Sequence, residues 1–87
     1  MSNNLIIPPL KSHQTIMLEG KVKWFSKEKG YGFIRPNNGK ADVFVHINDV
    51  RESGYETLLE KEEVEFEIKE DENGKLSATN ITAFEYY

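Results

Sequence analysis

Cysteine is absent from these 87 residues, so there is no disulfide framework and no thiolate site for zinc or an iron–sulfur cluster. Histidine is scarce as well. His13 and His46 are too few for a histidine-based metal centre, and neither a metal nor any other cofactor is expected. No long apolar run occurs: Leu5-Ile6-Ile7 is cut by Pro8-Pro9, and the opening Met1-Ser2-Asn3-Asn4 carries no basic side chain. Neither a membrane span nor a signal peptide is expected, and the location read from this is cytoplasmic. The chain is short enough for one small domain, whose core is too modest to enclose a deep catalytic cavity. Function is therefore expected on a surface. His46 with Asp42 makes an acid–base pair on paper, and Ser26 or Ser77 a nucleophile, but no triad or phosphate-cradling loop completes either set. An enzyme is not expected.

What the chain does have is charge, unevenly placed. The net charge is −4, yet residues 17–47 hold six Lys/Arg against three Asp/Glu, while residues 48–87 hold four against twelve. A basic, aromatic first half followed by an acidic second half suits a polyanion binder that uses one face. Most of the later acids read equally well as ordinary solvated faces.

The chain is organised around Lys29-Gly30-Tyr31-Gly32-Phe33-Ile34. On a strand, Lys29, Tyr31 and Phe33 share one face and Gly30, Gly32 and Ile34 the other. Same-face rings stand roughly 6.6 Å apart, about twice the base-stacking rise, which suits bases pulled apart more than a duplex. The same pattern also fits a strand whose aromatics face a core. Asp42-Val43-Phe44-Val45-His46-Ile47 repeats the theme, with Phe44 and His46 on one face and Val43, Val45 and Ile47 on the other. Aliphatic residues behind both ring-bearing rows mark the core side. Upstream, Gly20-Lys21-Val22-Lys23-Trp24-Phe25 is rich in strand formers. Strict alternation groups Trp24 with Val22, so a Trp24 on the ring-bearing face requires a bulge or strong coiling.

Residues 1–16 show no sustained period and are expected to form a flexible or extended arm, with residues 17–87 as the domain. Asn38-Gly39 and Asn73-Gly74 each offer the positive-φ pair of a tight hairpin. Asn48 to Glu63 is a long connection, in which a short helical turn near Ile47–Val50 and packing by Leu58 are expected. Val64 to Lys69 alternates as a fourth strand, and Leu76 to Phe84 supplies a fifth with Ala78 and Ile81 inward.

These stretches resemble the bacterial cold-shock proteins from about Met17 through Phe84. Lys29–Ile34 resembles the family's first ribonucleoprotein motif, Val43–Ile47 its second, and Gly20–Phe25 its opening strand, in the family's order and spacing. The resemblance implies an all-β fold, a five-stranded antiparallel oligonucleotide-binding barrel. It places Trp24 and Lys23 on the binding face and implies a binder of single-stranded RNA and DNA with ATP-independent chaperone activity and roles in transcription or translation regulation. Trp24, Tyr31, Phe33, Phe44 and His46 would stack on bases, joined by Tyr55 from a mobile loop unless Tyr55 merely anchors that loop. Lys21, Lys23, Lys27, Lys29 and, in the last loop, Lys75 would meet phosphates. Ile47 stands where the family usually has another aromatic and implies a weaker, apolar subsite. A monomer is expected, with a strand-exchanged or arm-mediated dimer as the alternative, and a protein-interaction role for the arm and the acidic half is the competing function.

Overall fold

Apolar residues at every second position turn one wall of each strand inward, and the computed structural model, which describes residues 17–84, closes those walls into a barrel. The arm expected over residues 1–16 lies outside the described residues. The strands are β1 (Met17–Ser26), β2 (Tyr31–Pro36), β3 (Val43–His46), β4 (Glu63–Glu70) and β5 (Leu76–Ala83), with one short helix, α1 (Ile47–Glu52), between β3 and β4. Their order around the barrel is β1-β2-β3-β5-β4. Neighbours run antiparallel except at the closure, where β3 meets β5 in parallel at Phe44 and Ser77. The core holds Val22, Ile34, Val45, Val50, Val64 and Phe66, all essentially without solvent exposure. Such burial supplies about 1.5–3 kcal/mol per side chain, the main force holding so small a barrel closed.

Two bulges decide which side chains face out. In the β1–β2 ladder Val22 lies opposite Ile34 but Trp24 opposite Phe33, so Lys23 is an extra residue. The extra residue resets the alternation: Val22 stays inside while Trp24 turns to the outer face. This is the bend that an outward Trp24 required. In the β4–β5 ladder Glu65 faces Thr82 and Glu67 faces Thr79, leaving an extra residue on β5. Asn80 absorbs it with φ 49°, a left-handed conformation that asparagine tolerates. Ala78 and Ile81, three apart, are thereby both buried, as expected from the sequence.

The short helix is held by polar contacts. His46 caps α1, its Nδ1 accepting from the Asn48 amide at 3.0 Å. Asp49 is the one buried acid among the described residues, and its Oδ1 accepts from Lys69 Nζ at 3.0 Å and Thr79 Oγ1 at 2.9 Å. These bonds satisfy a carboxylate that would otherwise be costly to bury. The chain after α1 is clipped to β5: Ser53 Oγ accepts from the Ile81 amide at 2.9 Å, and the Tyr55 hydroxyl accepts from the Ala83 amide at 3.0 Å.

The connections differ from the tight hairpins expected at the two Asn-Gly pairs. Only Gly39 and Gly74 have positive φ; Asn38 and Asn73 do not. Side-chain acceptors shape these turns instead, Asn38 Oδ1 taking the Lys40 amide and Asp71 Oδ1 taking the amides of Asn73 and Lys75. Longer loops of this kind need no primed turn, so β2 ends at Pro36 and β3 begins only at Val43.

Candidate nucleic-acid interface

β1, β2 and β3 carry one continuous outward patch of rings. Phe33 lies opposite Phe44 in the β2–β3 ladder and Tyr31 opposite His46, while the bulge brings Trp24 beside both Tyr31 and Phe33. Trp24 stands 5.4 Å from Tyr31 and 5.7 Å from Phe33 between ring centroids, both edge-on. Tyr31 and Phe44 stack at 5.7 Å with 23° between planes; Phe33 meets Phe44 edge-on at 5.9 Å. His46 extends the row 6.4 Å beyond Phe44. The rings brace one another at spacings favourable for aromatic pairs, and each keeps surface in water. A rigid row of half-exposed π-faces suits flat, unpaired partners. Because His46 Nδ1 accepts the helix amide, the neutral ring carries its proton on Nε2.

The cations around the patch are arranged less evenly than the sequence suggests. Lys75, in the β4–β5 connection, lies with Nζ 3.9 Å from the centre of the Phe44 ring. Lys23, the bulge residue, pairs with Asp42 at 2.9 Å, and Arg35 reaches the same carboxylate at 3.5 Å. Lys21 and Lys27 are exposed, and Lys27 approaches Glu56 at 3.9 Å.

Three expected placements change. Lys29 is not on the strand with Tyr31 and Phe33, because β2 begins at Tyr31. It sits in the preceding turn, its amide donating to Ser26 Oγ at 3.0 Å, and Gly30 closes that turn at φ 86°. Tyr55 packs against the core and its hydroxyl accepts from the Ala83 amide, so it anchors its loop to β5. Ile47 is buried at 8% exposure, with its amide bonded to the Gly30 carbonyl at 2.9 Å. It belongs to the inward row of Val43 and Val45, which leaves a base little of it to touch.

Arg35, and Asp42 as the carboxylate that holds Lys23 and Arg35, join the expected site only in the fold. The signal for Arg35 was present in the alternation Tyr31, Phe33, Arg35 on one face of β2; Asp42 required the fold. The acid–base pair of His46 with Asp42 is not formed, since each bonds elsewhere. The hydrogen bond from Lys23, with its charge and that of Arg35, holds the Asp42 carboxyl below its ordinary value of 3.8. A lowered carboxyl contributes stability that is present in full above the unfolded value and is lost as pH falls through the folded one. The difference in thermal midpoint between the wild type and Asp42→Asn is therefore expected to shrink as pH drops below about 4. Parallel midpoint curves across that range would contradict the pairing.

Comparison with known proteins matches residues 18–84 to the family model described as the 'Cold-shock' DNA-binding domain. The chain belongs to the cold-shock domain family. It is 47% identical over 66 residues to the cold shock-like protein CspC of Escherichia coli, covering 76% of this chain and 94% of that protein. It is 52% identical over 58 residues to the probable cold shock protein A of Mycolicibacterium smegmatis, covering 67% of this chain and 87% of the relative. The matching model describes a nucleic-acid-binding domain, in keeping with the outward surface of rings and cations. Among the described residues no helix is long and apolar enough to cross a membrane.

Proposed function

We propose that this cold-shock domain binds single-stranded RNA and DNA in the cytoplasm with little sequence preference and keeps bound strands unpaired without ATP. The observation that carries the reading is the continuous outward row of Trp24, Tyr31, Phe33, Phe44 and His46. Bases stack on these rings, and stacking accepts any base because each has a π-face. Lys21, Lys23, Lys27, Lys29 and Lys75 meet the phosphates. Lys75 is already parked on Phe44, so it moves aside as a base arrives and trades a ring for a phosphate. Holding strands apart shifts weak hairpins toward the open form by mass action, the basis of chaperone activity and of regulation of transcription or translation.

Titration with several homopolymers at two or more salt concentrations, followed by Trp24 fluorescence, tests this. Quenching is expected with every single strand, and log affinity should fall with log salt at about −0.7 per phosphate neutralised. An unchanged Trp24 signal and no retained oligonucleotide would refute the reading.

A further inference from the structure

A groove of about 210 Å³ runs beside the ring patch, lined by Lys21, Val22, Lys23, Arg35, Glu60 and Lys61. Four of its six residues are cations and one is an acid. Two local costs converge on it. Lys21 and Arg35 are direct partners in the β1–β2 ladder, and like charges placed opposite one another destabilise a sheet. Lys61 has φ 71° in a turn closed by the Glu62 amide on the Leu59 carbonyl at 3.0 Å. The third position of such a turn favours glycine, and a lysine there costs about 1–2 kcal/mol. The Lys61 amide also donates to the Val22 carbonyl at 2.7 Å, which seats the turn against β1. Strain and repulsion gathered at one place are characteristic of a functional surface.

We propose that Lys21, Arg35 and Lys61 form a phosphate track that prolongs the ring patch, so that the domain holds a longer single strand than its rings alone can stack. The inference rests on the single-strand reading above and adds the path of the strand. Continuity supports it: Arg35 follows Phe33 on the outer face of β2 by one same-face step, and Lys23 immediately precedes Trp24. Asp42 stands at the junction, pairing with Lys23 and Arg35, so an arriving phosphate takes over cations that Asp42 holds in the free protein. Glu63 faces Lys21 from β4 and Glu60 lines the groove; these acids limit the field without cancelling its four cations.

The full chain and its Arg35→Gln/Lys61→Gln variant, which leaves Lys21 and the other cations of the ring face in place, would be titrated with oligothymidylates of about six and about twelve nucleotides across a salt series. The variant is expected to bind the longer strand at least about fivefold more weakly with a salt slope shallower by about 1.4, while its affinity for the shorter strand stays within about twofold. Equal losses at both lengths, or none, would overturn the track. Lys61→Gly is the companion variant: its thermal midpoint should rise as strain is relieved while long-strand affinity falls about twofold or more. A higher midpoint with unchanged long-strand affinity would overturn the part assigned to Lys61. Failure of the wild type to bind even the shorter strand would instead overturn the single-strand reading itself.

Discussion

Phe33→Ala combined with Phe44→Ala is expected to abolish measurable single-strand binding while the barrel still folds. These two rings face each other across β2 and β3 at the centre of the patch, and each touches at least two others. A base stack is worth about 1–3 kcal/mol, so losing two removes about 2–6 kcal/mol, or roughly 30-fold to more than 10⁴-fold in affinity. The remaining rings also lose their braces, so the effect should exceed that of two isolated sites. Folding is retained because both side chains lie outside the buried core of Val22, Ile34, Val45, Val64 and Phe66. The thermal midpoint falls by several degrees at most for each lost aromatic contact of about 1 kcal/mol. Trp24 remains as the reporter. Affinity retained within about threefold of wild type would show that the rings do not carry binding.

Gly32→Ala should have the opposite signature, with loss of the fold coming first. A Cβ on Gly32 would lie 2.3 Å from the Trp24 carbonyl oxygen and 2.7 Å from the Phe25 Cα. Both are backbone atoms of the β1 segment just past the bulge, so neither can swing away. Overpacking against fixed backbone costs about 3 kcal/mol or more, which in a domain this small lowers the thermal midpoint by about 12–24 °C. Binding is expected to weaken with it, since relieving the clash displaces Trp24. Gly39→Ala provides the contrast: its φ is 82° but nothing lies within 4 Å of the added atom, so it costs only about 1–2 kcal/mol. A Gly32→Ala midpoint no lower than that of Gly39→Ala would mean that the two strands approach less closely than described.

The two variants separate parts of one hexapeptide that alternation alone leaves ambiguous. On the strand, Tyr31 and Phe33 face out and Ile34 faces in, as period two requires. Gly32 is small because β1 crosses it, and Gly30 because the turn before β2 needs a positive φ. The expected row of Lys29 with Tyr31 and Phe33 fails at its first member because period two applies only inside the strand, and Lys29 precedes it.

The local pattern of the sequence alone determined the strands, the inward rows and the ring pairs on β2 and β3, because alternation is a property of each strand by itself. Only the tertiary structure decided the rest. Trp24 joins the rings because one extra residue, Lys23, shifts the register of β1 against β2, and registers belong to pairs of strands. Tyr55 becomes an anchor because β5 offers it an amide from 28 positions away. Asp42 pairs with Lys23 and Arg35, and Lys61 lines one groove with Lys21, because the pairing of β1 with β2 and the seating of the Lys61 turn on Val22 bring together charges carried by separate segments.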